Sequence, residues 1–79
     1  MNKLKQTTIN KYSNKQLMRH LDRLDDHAIE KTGLCVYRVD FQNGQIHKTA
    51  GDHYFFYCCD SSRQEIISAI YDLYTRLAF

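Results

Sequence analysis

The fold is decided by residues 34–59, which read LCVYRVDFQNGQIHKTAGDHYFFYCC. Over residues 34–41 the apolar side chains occupy alternate positions, and this period of two predicts a β-strand with one buried face. Asn43-Gly44 then predicts a hairpin, because a type I′ turn needs a positive φ at both of its central residues. With this two-residue turn, the expected cross-strand pairs are Phe41–Ile46, Asp40–His47, Val39–Lys48 and Arg38–Thr49.

A third strand is expected after the hairpin. Gly51-Asp52 has the composition of a second turn, and the stretch from His53 to Cys59 is rich in aromatic residues, which favour strands. The three strands would form an antiparallel meander. This last strand does not alternate between apolar and polar residues, so it is expected to send aromatic side chains to both faces of the sheet.

A helical pattern lies on each side of the meander. Ser13 and Gln16 have the spacing of a capping box, and Gly33 suits a left-handed stop, so the first helix is expected over residues 14–31. The second helix is expected over residues 62–77. Its apolar residues form two adjacent stripes, Ile66, Ile70, Leu73 and Leu77 in the first and Ile67, Tyr71, Tyr74 and Ala78 in the second.

The length of 79 residues allows one domain, because chains divide into separate cores only when they are much longer. The element order of helix, three strands and helix (αβββα) predicts a two-layer α+β domain over residues 13–79, with both helices on one face of the antiparallel meander. Residues 1–12 are polar and show no periodicity. They are expected to form a flexible or loosely docked basic arm.

The motifs of the chain argue against catalysis and against a bound cofactor. The three glycines are isolated, so no phosphate-binding glycine loop can be drawn. Ser61 and Ser62 fit a helix cap better than the nucleophile elbow of a hydrolase. We therefore expect no enzymatic activity, no cofactor, no metal and no small-molecule substrate.

The cysteines point to a reducing compartment. Cys35, Cys58 and Cys59 form an odd set without C-x-x-C spacing, so reduced packing thiols are expected. The alternative is a zinc site that adds His47 and His53. No apolar run approaches the ~18 residues of a membrane span and no signal-peptide core is seen, so we expect a cytoplasmic protein that does not contact a membrane.

The net charge of +2 hides an asymmetry between two parts of the chain. Residues 1–23 carry six cations and one acidic residue, whereas the remainder carries five cations and eight acidic residues. Such a basic segment predicts contact with phosphate, the alternative being an ordinary solvated surface. The candidate nucleic-acid contacts are Lys3, Lys5, Lys11, Lys15, Arg19 and Arg23, together with Arg38 and Lys48 beside the aromatic sheet face.

The apolar residues exceed what one side of a small sheet can cover. Both the aromatic third strand and the second stripe of the second helix contribute to this excess. Because monomers rarely leave large apolar patches exposed, we expect a protein partner or a second copy of the chain to cover it. The alternative is that the N-terminal arm and long side-chain stems cover it. The candidate interface residues are Tyr54, Phe56, Val36, Ile67, Tyr71 and Tyr74.

Two functions follow from these surfaces. The first is a small non-catalytic binding or regulatory protein, homodimeric, that occludes a surface of a macromolecular partner. By analogy of size and class, inhibitors of host-defence or transcription proteins carried by phages or mobile elements are of this kind. The alternative is a nucleic-acid-binding protein that uses the basic segment and the sheet aromatics.

The order of helices and strands is similar to that of double-stranded-RNA-binding domains. Those domains carry a lysine cluster at the start of their second helix. Residues 60–65 of this chain read DSSRQE, with one cation and two acidic residues. The phosphate-binding cluster is therefore missing, and the residues and function of that family are not carried over.

Overall fold

The computed structural model describes residues 3–33, 35–49, 56–58 and 62–78. Within these ranges, no helix is both long enough and apolar enough to cross a membrane. The elements in chain order are α1 (Gln6–Lys11), α2 (Asn14–Thr32), β1 (Tyr37–Asp40), β2 (Gln45–Thr49), β3 (Phe56–Cys58) and α3 (Arg63–Arg76).

Helix α2 begins and ends where local signals in the sequence place it. The Ser13 hydroxyl accepts the backbone N–H of Gln16 at 3.2 Å, and the Gln16 side chain accepts the backbone N–H of Ser13 at 2.8 Å. At the other end, Gly33 has a φ of 77° and donates its N–H to Ile29. The predicted helix over residues 14–31 is therefore confirmed, with both of its caps.

Helix α3 begins after a serine cap. The Ser62 hydroxyl accepts the backbone N–H of Glu65 at 3.3 Å, and the helix ends at Arg76. This agrees to within one residue with the helix predicted over residues 62–77. The carbonyl group of Leu77, which follows the helix, accepts a hydrogen bond at 3.1 Å from the ammonium group of Lys31 on α2.

The core lies between the two long helices and the sheet. α2 packs against both α3 and β1, so the helices cover one face of an antiparallel sheet. The predicted α+β class is therefore confirmed. The most buried side chains of these elements include Leu17, Leu21, Leu24, Ala28, Tyr37, Ile46, Ile66, Ile70 and Leu73.

The register of the hairpin differs from the expected one. β1 and β2 pair antiparallel with Val39 opposite Ile46 and Asp40 opposite Gln45. The predicted pairing of Phe41 with Ile46 is therefore wrong by two residues. Because side chains alternate between faces with a period of two, a shift of two residues keeps each strand residue on its expected face.

The loop between β1 and β2 explains the shift. The Asp40 carboxylate accepts the backbone N–H of Asn43 at 3.2 Å and the Asn43 side-chain amide at 2.7 Å. These bonds close a loop of four residues, 41–44, in place of the predicted two-residue turn. As a result Arg38, and not Asp40, lies opposite His47.

The third strand is described over three residues. The backbone of β3 pairs antiparallel with β2, with Tyr57 opposite Lys48. The sequence predicts this strand from His53 to Cys59, after a turn at Gly51-Asp52. Most of that stretch lies outside the described residues, so the complete three-stranded meander stays a prediction.

The N-terminal segment differs from the flexible or loosely docked arm predicted for residues 1–12. Residues 6–11 form α1, and Ile9 is 0% exposed within the core. The guanidinium group of Arg63 donates to the carbonyl oxygens of Ile9 and Asn10 at 3.0 and 3.2 Å. The buried Ile9 side chain, these two bonds and a hydrogen bond from the Tyr71 hydroxyl to Gln6 hold α1 in place, and none of them produces a periodic sequence pattern in so short a helix.

Candidate functional site

One side of α2 carries a row of exposed cations. The buried stripe of this helix is directed at the core, so residues on the opposite side project into solvent. Lys15, Arg19 and Arg23 are exposed, and each follows the previous one by about 6 Å along the helix axis. We call these three residues the cation row. Within the described part of the chain, none of the three has an ion-pair partner.

Phe41 lies beside the cation row. It occupies the first position of the β1–β2 loop, and its side chain is 44% exposed. The phenyl ring, the cation row and Asp22 together line a groove of about 410 Å³, which we call the Phe41 groove. An exposed aromatic ring and three cations therefore open onto the same volume of solvent.

A second, smaller groove shares two members of the cation row. It has a volume of about 150 Å³ and is lined by Arg19, Arg23, Tyr12, Gln16 and His20. We call it the Tyr12 groove. Successive helix residues turn by about 100°, so Gln16 and His20 lie on the opposite side of the cation row from the Phe41 groove. The two arginines thus stand between two aromatic-lined grooves.

The cation row does not stabilise α2. Lys15 lies in the first turn of the helix, where the helix dipole favours acidic side chains. Like charges spaced four residues apart also repel one another. Among the described residues, Asp22 is the one acidic residue lining the Phe41 groove, and burial raises its pKa, with further contributions from Asp26 and then Asp25. None of the contacts seen among the described residues gives these three cations a stabilising role in α2.

His20 joins the Tyr12 groove to the core. Its Nε2 lies 2.6 Å from the hydroxyl oxygen of Tyr74, and the same hydroxyl accepts the backbone N–H of Leu4 at 3.0 Å. Burial, followed by the charge of Arg23, lowers the pKa of His20. The lowered pKa favours the neutral imidazole, and the tautomer of the ring sets which partner of the His20–Tyr74 hydrogen bond donates. This contact fixes one wall of the groove.

Cys35 is a candidate nucleophile among the described residues. Its burial and the neighbouring carboxylate of Asp25 keep the thiol protonated, which opposes that role. The thiol donates to a carboxylate oxygen of Asp25 at 3.1 Å. Burial raises the pKa of Cys35 to about 11, and the hydrogen bond to Asp25 adds to the effect. Because the thiolate is the reactive form, the protonated thiol is a packing group at neutral pH.

The predicted nucleic-acid contacts are divided among several places. The structure brings the cation row together around the Phe41 groove. Lys3 instead lies over the ring of Tyr74 and Lys48 over the ring of Tyr37, each 5.8 Å from the ring centroid, in a cation–π geometry. The remaining candidates are exposed on other elements: Lys5 and Lys11 at the two ends of α1, and Arg38 on β1.

The predicted apolar interface is largely covered from within the chain. Tyr74 is 2% exposed, so it is a core residue here, in contrast to the expectation that it faces a partner. The N-terminal segment contacts two residues of the second stripe of α3, since the backbone N–H of Leu4 donates to the Tyr74 hydroxyl and the Tyr71 hydroxyl donates to the side chain of Gln6. The other candidates are Val36, Ile67 and Tyr71, partly buried against the core, and Tyr54 and the side chain of Phe56, which lie outside the described residues.

Phe41 is the site residue that sequence reasoning missed. The alternation of residues 34–41 assigns it to the buried face of β1, and a two-residue turn keeps it in the strand. The signal for a longer loop is Asp40 three residues before Asn43, a spacing that lets an aspartate side chain bond to the backbone and start a turn. The longer loop releases Phe41 into solvent beside α2.

Metal binding has no support among the described residues. In residues 3–33, 35–49, 56–58 and 62–78, no group of three or more His, Cys, Asp and Glu side chains could hold a metal ion. The zinc alternative also requires His53 and Cys59, which fall outside those ranges.

Comparisons with protein-family models, with curated proteins and with solved structures find no match to this chain. Its function is therefore inferred from the geometry and charge of its own residues.

Proposed function

We propose that this chain is a small non-catalytic binding protein that acts by occupying a surface of a macromolecular partner. The cation row and Phe41 form the centre of its contact face. The observation that carries this proposal is the exposed ring of Phe41 beside three cations that lack an acidic partner in the described part of the chain. Aromatic residues and arginine are the residue types enriched at the centres of interfaces.

The shape of the Phe41 groove supports a large partner. The groove is open to solvent and lined by long, flexible side chains. Sites for small molecules enclose most of their ligand and are lined mainly by apolar groups. An open groove between a helix and a loop suits an extended surface better than it suits a small substrate.

The charge of the groove indicates the chemistry of that partner. Three cations and one acidic residue line it, so a partner that presents phosphate or carboxylate groups would be attracted and oriented. Charges of this kind act mainly on the rate of encounter and on specificity. The aromatic ring supplies the apolar contact that resists dissociation.

The third strand belongs to the same proposal. A complete meander, with β3 extended over His53 to Cys59, would present Tyr54 and Phe56 as a further apolar surface. That surface is the candidate for a homodimer contact, because Tyr74 of α3 is buried and Ile67 and Tyr71 are partly buried against the core. Light scattering on the concentrated protein tests it, and a strictly monomeric mass would contradict it.

Partner capture with matched variants tests the main proposal. Phe41→Ser is compared with Ile29→Ser, because Ile29 is 40% exposed on the same helix, about 9 Å beyond Arg23 along its axis. We expect the wild type and Ile29→Ser to retain the same partner and Phe41→Ser to lose it, with unchanged circular dichroism in all three. If Phe41→Ser and Arg19→Glu both capture the partner as well as the wild type does, this face is excluded.

A further inference from the structure

We propose that the Phe41 groove and the Tyr12 groove together form a subsite for single-stranded nucleic acid. In this subsite Arg19 and Arg23 bind successive phosphates, and one base stacks on Phe41. The inference rests on the function proposed above, because it names the partner of the same face.

The two arginines suit a phosphate chain. They lie four residues apart on one side of α2 and are separated by about 6 Å along the axis. That separation is comparable with the distance between neighbouring phosphates of an extended strand. Guanidinium groups bind phosphate oxygens through paired hydrogen bonds, and Lys15 adds a third cation one turn earlier on the same row.

The phenyl ring of Phe41 suits a base. It is 44% exposed and opens onto the same groove as the cation row. One nucleotide can therefore place its phosphate on an arginine while its base covers the ring. Stacking of this kind tolerates any base, because every base has a flat π face.

The Tyr12 groove extends the subsite on the other side of the arginines. Tyr12 and His20 bring two further rings next to Arg19 and Arg23. A strand that crosses the arginines thus meets aromatic side chains in both directions. This alternation of rings and cations is typical of surfaces that bind single strands.

The same geometry distinguishes single strands from two competing ligands. A duplex keeps its bases stacked inside and offers only phosphates, so it gains nothing from Phe41. An acidic peptide would use the cation row in the same way but has no flat ring system to match the exposed phenyl ring. Binding of a single strand should therefore depend on Phe41, whereas binding of a duplex or of an acidic peptide should not.

Fluorescence anisotropy with a labelled pyrimidine oligonucleotide of ~10 nucleotides tests the inference across a salt series. With three cations on phosphates, log K against log salt should fall with a slope of about −2. A duplex of equal length should bind more weakly at every salt concentration.

Variants at Phe41 test the stacking contact. Phe41→Ala should lower the affinity roughly 5- to 150-fold while leaving the salt slope unchanged. The chain contains no tryptophan, so Phe41→Trp creates a single probe. We expect that variant to bind as the wild type does and its fluorescence to be quenched when the oligonucleotide is added.

Variants in the cation row test the phosphate contacts. Arg19→Gln should reduce the magnitude of the slope by ~0.7. Arg76→Gln removes the same charge from an exposed arginine on α3 that pairs with Asp72, and it should leave both the affinity and the slope unchanged.

Three results would overturn the inference: no salt-sensitive binding at about 50 mM salt, equal binding by Phe41→Ala and the wild type, or equal binding of the duplex. Competition by poly-glutamate as effective as that by the oligonucleotide, and insensitive to Phe41→Ala, would assign the site to acidic proteins instead. If the oligonucleotide fails to bind while partner capture still depends on Phe41, the nucleic-acid inference is wrong and the proposed function as a binding protein stands. If capture is also insensitive to Phe41, the proposed function fails with it.

Discussion

The carboxylate of Asp25 accepts the backbone N–H of Tyr37 at 2.9 Å and so joins the middle of α2 to the first residue of β1. The same oxygen accepts the backbone N–H of Val36 at 3.0 Å, and the other oxygen accepts the thiol of Cys35. Asp25 is 4% exposed. A buried carboxylate with three donors is well satisfied, and it determines where the chain enters the sheet.

Replacing Asp25 by alanine should destabilise the fold by about 2 to 4 kcal/mol, because the backbone N–H groups of Val36 and Tyr37 lose their acceptor. Urea unfolding followed by circular dichroism measures the change. Asp26→Ala is the matched control, since Asp26 is exposed on the next position of the helix, and it should change the free energy of unfolding by less than about 0.5 kcal/mol. Equal losses for the two variants would contradict the assigned role of Asp25.

The contact between His20 and Tyr74 should make stability depend on pH. Burial and Arg23 lower the pKa of His20 in the folded state, whereas the unfolded chain keeps the ordinary value of 6.5. On acidification, the unfolded chain therefore takes up the proton first. The contribution of neutral His20 is present above pH 6.5 and is lost as the pH falls through the lower, folded-state pKa.

The free energy of unfolding, measured from about pH 8 to pH 5, checks this expectation. The wild type should lose stability over that range, and His20→Gln should show a smaller loss. Tyr71→Phe removes the neighbouring hydroxyl on α3, which bonds to Gln6 and not to His20, and it should keep the wild-type pH dependence. An identical pH profile for His20→Gln and the wild type would show that another group causes the change.

Arg63 should hold α1 on the body of the protein. Its guanidinium group donates to the carbonyl oxygens of Ile9 and Asn10 and to the side chain of Asn14. We expect Arg63→Gln to reduce stability by roughly 1 to 2 kcal/mol and to raise the amide hydrogen exchange of α1 more than that of α2. Arg63→Lys should restore little of the lost stability and little of the protection of α1 from exchange, because an ammonium group lacks the planar fork of donors. Uniform exchange changes in both helices would contradict a local role.

Cys35 should react slowly with alkylating reagents. With a pKa raised to about 11 from its ordinary value of 9.0, its thiolate population at about pH 8 is roughly 100-fold below that of an unperturbed thiol. Peptide mapping by mass spectrometry after iodoacetamide treatment measures Cys35 separately from the other two cysteines. The alkylation rate of Cys35 should rise when the protein is unfolded in urea. In the folded Asp25→Asn variant it should rise by a smaller amount. A native rate equal to the unfolded rate would exclude the protected thiol.

The ends of the long helices were predictable because their signals are local. Ser13 and Gln16 cap α2 within one turn of chain, and Gly33 ends the helix through its own φ of 77°. The strand character of β1 and the presence of a hairpin follow from alternation and from Asn43-Gly44 in the same way. The basic character of the segment that contains the cation row could also be read directly from the composition.

The sequence offers two local signals for the hairpin register, and only the folded chain shows which of them sets the register and the centre of the candidate site. Two local signals compete around Asn43, the type I′ turn and the bonds from Asp40, and the second gives a loop that moves Phe41 from a strand into solvent. Three-dimensional contacts also decide which of the predicted cations lie together. Lys3 and Lys48 lie over tyrosine rings and are therefore not part of the cation row.

Helix α1 is the clearest example of an element that the local sequence pattern does not predict. Six residues are too few to display a period of 3.6, and Ile9 is an isolated apolar residue in a polar segment. Its backbone carbonyl accepts a hydrogen bond from Arg63, 54 residues away in the chain, and the backbone N–H of Leu4 donates to the Tyr74 hydroxyl, 70 residues away. Sequence patterns report interactions between residues that are close together in the chain. Contacts between distant segments depend on how the helices and strands pack, and these patterns do not specify that packing.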